Sequence, residues 1–414
     1  MIEHQPNRLP LLALAIGDPA GIAPELTAKL LADREVADAA HLVVIGDKRV
    51  LDRGAEIAGV RLDVATITTA DEIEPWRTVT LDLGHLDPSS ISLGTASSAG
   101  GAFALENLRV GLQLAHQGIV GGLAFTPFNK SAMRMAHPGY VDEISFIDSV
   151  LHTRTPSGEF NILEDFWNAR VTSHIPISAV ADLIKYDLVL AGIRFTYENL
   201  RAAGFEEPRI AVAGLNPHAG DGGNCGHEDE REIGPAIEAA KKLGIRTDGP
   251  FSPDTVFLHA TRENFNAVLT MYHDQGQIAM KLIGFDRGVT LLGGYPFPIC
   301  TPAHGSAYDI AGKSVANLGA SRAAVLLAAK MARGNRVDWH PIHSPAPRWV
   351  DGSSIPCSTS AVDVVSQEVV HIKIESSSAD RSARQDSIRV HNEPGFEVRE
   401  GLGDGSSIGK EWAQ

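Results

Sequence analysis

The alternation of short apolar runs with helical segments is the feature that most constrains how this chain can fold. "LLALAIGD" (11–18) is an apolar run that ends in Gly-Asp-Pro, as a buried parallel strand does when it reaches a loop. "HLVVIGD" (41–47) is a second run of this kind, and segments with helical spacing follow at 23–36 and 48–59. "VGGLAFTPFNK" (120–130) is again a strand followed by a loop. Strands that alternate with helices predict the α/β class with a mainly parallel sheet.

Three later apolar runs each lead into a polar segment that carries a histidine. "RVTSHIPI" carries His174, "RIAVAGLNPHAGDGG" carries His218 and "AVLTMYHDQG" carries His273. Ligands of open α/β sheets gather at the carboxyl ends of the strands, so these three segments can line one cleft. Three imidazoles leave an open coordination position, as catalytic Zn²⁺ and similar divalent ions prefer. Such an ion can hold a hydroxy acid and stabilise an alkoxide or enolate. The alternative is that each imidazole only makes hydrogen bonds within its own loop.

Charged residues near these loops are further candidates for the site. Asp274 follows His273 directly and can orient its imidazole. Lys281 can bind an anionic group or transfer a proton, although a lone lysine on a helix is more often simply solvated. Lys130 ends the strand-and-loop segment "TPFNK" and can meet a carboxylate or a phosphate. "GDPAGIAPE" (17–25) is compatible with a phosphate-type loop and equally with a tight strand-to-helix turn.

Composition narrows the class of protein. The formal net charge of −15 argues against nucleic acid or an anionic membrane as the main partner. The apolar run near the N-terminus is broken by Gly-Asp-Pro, is too short to span a membrane and lacks a basic leader. The three cysteines, Cys225, Cys300 and Cys357, have no paired spacing, which is typical of a cytoplasmic protein. The motifs of serine, cysteine and zinc hydrolases are missing, so the sequence gives no support to nucleophilic catalysis.

The chain changes character after about residue 335. Residues 336–414 are rich in Ser, Pro, Gly and charge, a composition that favours a flexible tail over a packed core. We therefore expect this C-terminal segment to take no part in the chemistry.

Seven segments, in order over residues 11–333, resemble the 4-hydroxythreonine-4-phosphate dehydrogenase family of vitamin B6 biosynthesis and its paralogues. They are "AIGDPAGIAPEL", "TPFNK", "VTSHIPI", "GLNPHAGDGG", "GPFSPDTVF", "AVLTMYHDQGQIAMKLIGFDRGV" and "AHGSAYDIAGKSVANLGASRAA". The resemblance implies two α/β/α domains of the isocitrate and isopropylmalate dehydrogenase type, with the active site in the cleft between them. It implies an NAD-binding domain from 1–135 and 290–335, and a metal, substrate and dimerisation domain from 136–289.

The resemblance also implies an activity and the residues that carry it. Members oxidise a secondary alcohol β to a carboxylate with NAD and a divalent metal ion (Zn, Mg, Mn or Co), and the 3-oxo acid then loses CO₂. They are homodimers, and the metal ligands, which match His174, His218 and His273, come from both subunits. The implied catalytic residues are Lys281 and Asp274. "HGSAYDIAGK" resembles the adenosine loop of the related dehydrogenases, which makes His304, Gly305, Ala307 and Asn317 the NAD contacts.

The residues expected to bind the substrate depart from the family pattern. Tyr140 and Val141 stand where the family has His and Thr, Thr290 replaces an Asn, and Ile299 replaces the Arg that clamps a phosphate. Lys130, Tyr140, Lys281 and Thr290 remain the candidate substrate contacts. Two substrate classes therefore stay open, a phosphorylated hydroxy acid and a non-phosphorylated one such as an aromatic dihydrodiol carboxylate, which the apolar "YPFPIC" segment would suit. A third reading is a metal-binding relative without redox activity.

Overall fold

The computed structural model describes residues 9–153 and 156–334, and twelve strands in this part of the chain form one sheet. The strands are β1 (Leu11–Ala15), β2 (His41–Gly46), β3 (Ala65–Ile67), β4 (Val79–Asp82), β5 (Leu123–Phe125), β6 (Gly158–Leu163), β7 (Phe166–Arg170), β8 (Arg209–Ala213), β9 (Arg246–Phe251), β10 (Ala267–Thr270), β11 (Val289–Gly293) and β12 (Ile299–Pro302). The helices are α1 (Ala23–Leu31), α2 (Arg34–Ala39), α3 (Lys48–Ala58), α4 (Ser98–His116), α5 (Lys130–Ala136), α6 (Glu143–Leu151), α7 (Val180–Leu183), α8 (Tyr186–Ala202), α9 (Gly234–Lys242), α10 (Val256–Arg262), α11 (His273–Gly284) and α12 (Gly319–Gly334).

The strand order confirms the predicted α/β class with a mainly parallel sheet. The order is β3-β4-β2-β1-β5-β12-β11-β6-β7-β10-β8-β9. The exceptions are central, because β11 runs antiparallel to both β12 and β6, and β6 runs antiparallel to β7. The sequence did not predict this interruption. The turn between β6 and β7 consists of Glu164, with a φ of +55°, and Asp165, and it lacks the Gly that usually marks a two-residue hairpin.

The core explains why the first strand is a continuous apolar run rather than an alternating one. Alternate side chains of a strand point to opposite faces of the sheet. Leu12 and Leu14 lie in one buried cluster, whereas Leu11 and Ala13 lie in another. Helices cover both faces of β1, so every position of this strand must be apolar.

The segment predicted as one helix over 23–36 is two helices. Asp33 has an extended backbone and its side chain accepts a hydrogen bond from the backbone N–H of Val36. An aspartate in this position is a typical N-cap, so it ends the turn after α1 and begins α2. Apolar periodicity alone continued across the break because Val36 is buried like the residues of α1.

The three histidine-bearing segments follow neighbouring parallel strands. β10 pairs with β7 on one side and with β8 on the other. His174 follows β7, His218 follows β8, and His273 is the first residue of α11 after β10, rather than a loop residue. The carboxyl ends of these strands therefore meet at one edge of the sheet, as the sequence predicted.

Several predictions concern features that the structure does not test. The division into domains at 1–135 with 290–335 and at 136–289 stays a prediction, and the predicted tail at 336–414 lies outside the described residues. Cys225 is exposed and Cys300 is buried, and both are free thiols. Within residues 9–153 and 156–334, no helix has the length and apolar character needed to cross a membrane.

Candidate active site

His174 and His273 come together at the carboxyl ends of β7 and β10. The centroids of their imidazole rings are 5.2 Å apart. Both line an open pocket of about 530 Å³. The other lining residues are Thr172, Ser173, Ile175, Ile177, Val180, Tyr272 and Asp274. Two of the three predicted metal ligands are thus neighbours within one chain.

The backbone beyond β7 explains how His174 reaches this place. The N–H groups of Val171 and Thr172 bond to the carbonyl oxygens of Thr270 and Met271, at 2.8 and 3.1 Å. The hydroxyl of Thr172 donates a second bond to the Met271 carbonyl, at 2.8 Å. These bonds extend the pairing of β7 and β10 past the ends of the strands. His174 then adopts a φ of +53°, a left-handed conformation that is uncommon for a residue with a side chain.

The chemistry of the two imidazoles suits a divalent cation. Nδ1 of His273 lies 2.6 Å from Oδ1 of Asp274, as the sequence predicted for an orienting carboxylate. This contact leaves Nε2 as the free ring nitrogen. Burial lowers the pKa of His174, although the Glu159 carboxylate opposes the shift. A neutral imidazole keeps the lone pair that a metal ion requires.

His218 does not join this pair within the chain. Among the described residues, no group of three or more His, Cys, Asp or Glu side chains is arranged to hold a metal ion. The histidine lies in an irregular turn, Pro217–Gly223, in which its own φ is +55°. Asp229, a buried residue, anchors the start of this turn by accepting bonds from the N–H groups of Leu215 and Asn216, at 2.8 and 3.1 Å. The turn is therefore held in a defined shape.

Lys281 and Thr290 lie near a second, smaller pocket beside α11. Lys281 lines it together with Asn161 and Gln277, and Nε2 of Gln277 donates to Oδ1 of Asn161 at 2.6 Å. Thr290 is the cross-strand neighbour of Asn161. Lys281 makes no ion pair with any residue in the described ranges, so its charge is available to a ligand.

Lys130 and Tyr140 lie together at the start of α5 and α6. Nζ of Lys130 is 3.0 Å from Oε2 of Glu143. Burial, the strongest influence, lowers the pKa of Lys130, but Glu143 outweighs it and the pKa is raised. Tyr140 is buried and packs against Phe146, with ring centroids 6.3 Å apart. Its hydroxyl is enclosed, and burial, followed by the nearby Glu143 carboxylate, raises its pKa.

The predicted dinucleotide loop packs on the turn that follows β1. Tyr308 donates a hydrogen bond of 2.5 Å to Oδ2 of Asp18, and the N–H of Ile22 donates to the carbonyl of Ser306 at 3.0 Å. Asp18 also accepts from the N–H of Ala20, at 3.0 Å. The segment 17–25 is therefore a tight turn closed by Asp18, which is one of the two readings that its sequence allowed. Its buried face supports residues 304–317.

The four predicted NAD contacts lie along this loop. His304 is partly buried, which lowers its pKa, and its Nδ1 is 3.1 Å from the carbonyl of Gly305. Gly305 is exposed, and a Cβ placed on it would meet no atom within 4 Å. Ala307 has a φ of +44°, and Asn317 is exposed and accepts from the N–H of Gly319 at 2.8 Å. The loop thus presents open backbone on one side while the other is anchored.

Sequence reasoning missed a buried ion pair next to the histidines. Arg170, the last residue of β7, pairs with Glu159 of β6, and the Arg170 side chain exposes only 3% of its surface. Nε of Arg170 donates to the hydroxyl of Ser173 at 2.9 Å, and Nη1 donates to Oδ1 of Asn161 at 2.6 Å. Each of the two strands carries one charged residue, and a charge buried in a strand requires a partner, but the register that pairs these two residues is not visible in the sequence.

These features together define a class of protein. A mainly parallel α/β sheet carries histidines with an orienting carboxylate at the carboxyl ends of adjacent strands, and an anchored small-residue loop lies at the end of its last parallel strand. This combination is typical of an α/β enzyme that binds its ligands at the strand ends.

Comparison with known proteins gives the particular family. The sequence profile described as "Pyridoxal phosphate biosynthetic protein PdxA" matches residues 38–328, and the chain belongs to this family. A protein of Rhizobium meliloti (strain 1021), provisionally named 4-hydroxythreonine-4-phosphate dehydrogenase 2, is 57% identical over 332 residues, which are 80% of this chain and 95% of that protein. The resemblance stated from the sequence is confirmed, and the chain is an oxidoreductase that acts on a CH–OH group.

Solved structures agree with this assignment. The crystal structure of 4-hydroxythreonine-4-phosphate dehydrogenase from Klebsiella pneumoniae matches with a TM-score of 0.70 and 32% identity, over 79% of this chain and 99% of that chain. A terephthalate 1,2-cis-dihydrodiol dehydrogenase from Burkholderia xenovorans LB400 matches with a TM-score of 0.54 and 25% identity, over 75% and 94% of the two chains.

Proposed function

We propose that the protein oxidises the secondary alcohol of a 3-hydroxy acid with NAD and a divalent metal ion, and that the resulting 3-oxo acid loses CO₂. The observation that carries the proposal is the convergence of His174 and His273, with ring centroids 5.2 Å apart, beside the orienting carboxylate of Asp274. An enzyme of this family needs a means to stabilise negative charge on the substrate oxygens, and this pair supplies two imidazole ligands for a cation that can do so.

The residues fit a divalent ion held by three imidazoles. His174 and His273 would supply two ligands from one subunit, and His218 of a second subunit the third. A bound ion would supply Lewis-acid stabilisation of the charge that develops as the alcohol is oxidised and as CO₂ leaves. Asp274 keeps Nδ1 of His273 engaged and so orients the ring.

Lys281 is the residue that we assign to substrate binding and proton transfer. It lies on α11, the helix that begins with His273, and it lines the pocket that also contains Asn161. Without an ion-pair partner in the described part of the chain, its ammonium group can hold the substrate carboxylate and supply the proton that the carbon requires after decarboxylation. Thr290, Lys130 and Tyr140 are the further substrate contacts that we propose.

We assign the loop 304–317 to NAD. NAD accepts the hydride, and the protein binds the cofactor, orients it and provides the electrostatic environment. Lys29 and Glu25 of α1 hold the far end of the loop, because Oε1 of Glu25 accepts from the N–H of Ala316 at 2.9 Å and Nζ of Lys29 donates to the Ala316 carbonyl at 2.8 Å. His304, Gly305, Ala307 and Asn317 are the contacts that we propose along the anchored loop.

An exposed apolar face of α11 supports a homodimer. Ile278 and Leu282 are one turn apart and expose 61% and 83% of their surface, and Phe285 at the end of the helix exposes 55%. Such a contiguous apolar face on a helix that carries a metal ligand is typical of a subunit interface. A second copy packed there would approach the pocket that needs His218. We place the assembly in the cytoplasm, in keeping with the free thiols of Cys225 and Cys300.

A second substrate class is favoured by a specific observation. Ile299, which stands where the family has its phosphate-clamping Arg, is fully buried within β12. Tyr140, Phe128, Tyr295 and Phe297 belong to the same apolar cluster. A non-phosphorylated hydroxy acid, such as an aromatic dihydrodiol carboxylate, is therefore the alternative substrate.

The test is an assay of the purified full-length protein with NAD and each of Zn²⁺, Mg²⁺, Mn²⁺ and Co²⁺. The substrates are 4-hydroxythreonine-4-phosphate, 4-hydroxythreonine and the terephthalate 1,2-cis-dihydrodiol. We expect reduced nicotinamide and CO₂ in equal amounts with at least one substrate, and no reaction after chelation of the metal. The proposal is wrong if no metal and substrate combination reduces NAD.

A further inference from the structure

The Arg170–Glu159 ion pair lies between the two pockets of the site. Nε of Arg170 bonds to Ser173, which lines the pocket of His174, and Nη1 bonds to Asn161, which lines the pocket of Lys281. The Arg170 side chain exposes 3% of its surface, whereas the Glu159 side chain exposes 19%. The guanidinium is therefore enclosed, and the carboxylate in front of it can be reached by a ligand.

Glu159 faces the same side of the sheet as the candidate substrate contacts. Glu159 and Asn161 are two residues apart on β6, so their side chains share one face. Arg170 and Gln277 both donate to Asn161 on that face. The carboxylate also acts on the electrostatics of the site, since it raises the pKa of both His174 and Lys130 against the stronger effect of burial.

The register of the sheet places Glu159 in the same row as Ile299, the residue that replaces the family's phosphate-binding arginine. Leu292 of β11 pairs with Ile299 of β12 on one side and with Glu159 of β6 on the other. Neighbouring strands lie about 4.8 Å apart, so the backbones of Ile299 and Glu159 are separated by about 10 Å. In this row of the sheet, the position of the family's arginine is apolar, and the guanidinium of Arg170, which pairs with Glu159, is covered by that carboxylate.

Other basic residues around the pockets are also neutralised by a carboxylate. Arg170 is paired with Glu159 and Lys130 with Glu143. Among the residues that line the two pockets, Lys281 is the only Lys or Arg, and it makes no ion pair with a described residue. One ammonium group suffices for a carboxylate, but a phosphate dianion usually requires several charge-assisted hydrogen bonds.

We propose that Glu159 is a specificity-determining residue that excludes a substrate phosphate and selects a non-phosphorylated hydroxy acid. It acts in two ways. Oε2 is bound to Arg170 and neutralises it, and Oε1, which makes no hydrogen bond to a described residue, accepts a bond from a substrate hydroxyl or ammonium group. This inference rests on the proposed function for the location of the substrate and deepens it by choosing between its two substrate classes.

Titration with inorganic phosphate tests the charge cancellation without any turnover. Glu159→Gln keeps the shape of the side chain and uncovers the charge of Arg170. We expect the Kd for phosphate, measured calorimetrically on the metal-loaded protein, to fall by about tenfold or more relative to the wild type. Glu164→Gln is the matched control, because Glu164 also pairs with an arginine, Arg287, but at an exposed hairpin turn. The control should bind phosphate as the wild type does.

A double variant keeps the test valid if Glu159→Gln alone does not fold. A buried charge whose partner is removed is strongly destabilising, whereas a buried pair replaced by neutral side chains of similar size is often tolerated. Glu159→Gln/Arg170→Met should therefore fold, and its phosphate Kd should return to within about threefold of the wild-type value because the guanidinium is gone. Equal phosphate affinity in the wild type, the single variant and the double variant overturns the proposal.

Substrate preference gives the second readout. The wild type should show a higher kcat/KM for 4-hydroxythreonine than for its 4-phosphate, and Glu159→Gln should lower this ratio about tenfold or more. A wild-type preference for the phosphorylated compound that Glu159→Gln leaves unchanged refutes the inference. If neither compound nor the dihydrodiol reduces NAD, the proposed function fails, and the phosphate titration still decides the role of Glu159.

Discussion

The imidazole rings of His174 and His273 lie 5.2 Å apart because β7 and β10 are parallel neighbours whose pairing continues past the strand ends. The two residues are far apart in the sequence, and neither strand alone would bring them together. The bonds from Val171 and Thr172 to the backbone before His273 hold the two segments in register. A change to either histidine should therefore act on the same ligand site.

Replacement of His174 by alanine should weaken divalent metal binding by more than about 100-fold. Mutation of a residue that only hydrogen-bonds to a metal ligand typically lowers metal affinity about 10–100-fold. Loss of the ligand itself should lower it further. Asp274→Asn should fall within that range, because it removes the carboxylate that orients His273. The affinity is measured by competition with a metal-sensitive dye.

His116→Ala is the control for these two variants, because His116 is exposed at the end of α4. It should bind metal as the wild type does. Wild-type metal affinity in His174→Ala would show that this histidine is not a ligand.

Replacement of Tyr308 by phenylalanine should lower the free energy of unfolding by about 1–3 kcal/mol near neutral pH. The Tyr308 hydroxyl donates to Asp18, whose side chain is almost fully buried. Because this contact joins the turn 17–25 to the loop 304–317, NAD should also bind more weakly. Chemical denaturation and a fluorescence titration with NADH measure the two effects.

The stability loss in Tyr308→Phe should depend on pH in a defined direction. Burial raises the pKa of Asp18 above its ordinary value, and the bond from Tyr308 partly offsets this. Because the pKa of Asp18 is raised in the folded protein, the free energy of unfolding falls as pH rises through this pKa. The fall is larger in Tyr308→Phe, because the hydroxyl that stabilises the ionised carboxylate is gone. The difference from wild type should therefore be greater at about pH 7 than at about pH 4, where Asp18 is closer to neutral. A difference that grows on acidification contradicts this account.

If the protein is the homodimer that we propose, replacement of Leu282 by glutamate should convert it to monomers. Full burial of a leucine contributes about 1.5–3 kcal/mol, and a charge in its place adds a desolvation cost. Light scattering after size-exclusion chromatography measures the mass. Leu243→Glu is the control, since Leu243 is also exposed, at 61%, but follows α9 rather than lying on α11. If Leu282→Glu stays dimeric, the interface lies elsewhere.

The sequence predicted the parts of the fold that depend on local pattern. Continuous apolar runs identified β1, β2 and β10 because helices cover both faces of these strands. It did not reveal that β6 and β11 run antiparallel, because strand direction depends on pairing between residues distant in the chain and the β6–β7 turn lacks a typical signal. The apolar pattern also predicted a single helix across Asp33. The N-cap role of Asp33 is visible only from its extended backbone and its bond to Val36.

The candidate site was predictable to a similar extent. The histidine-bearing segments and the carboxylate of Asp274 could be found because each follows directly on an apolar strand. The Arg170–Glu159 pair could not, because it depends on the register of an antiparallel hairpin that the sequence did not predict. His218 does not join the other two histidines among the described residues. In our proposal a second subunit supplies it, and no local pattern in the sequence indicates such an arrangement.

The most direct test of the central claim, that the metal site is assembled from two subunits, is metal binding by mixed variants. His174→Ala and His218→Ala each remove a ligand from both sites of their own homodimer. When the two variants are unfolded together and reassembled at equal amounts, each mixed dimer contains one site with all three imidazoles. We predict that the mixture regains about a quarter of the wild-type content of tightly bound metal, while neither variant alone binds it. A mixture that binds no more metal than the separate variants would contradict the shared site.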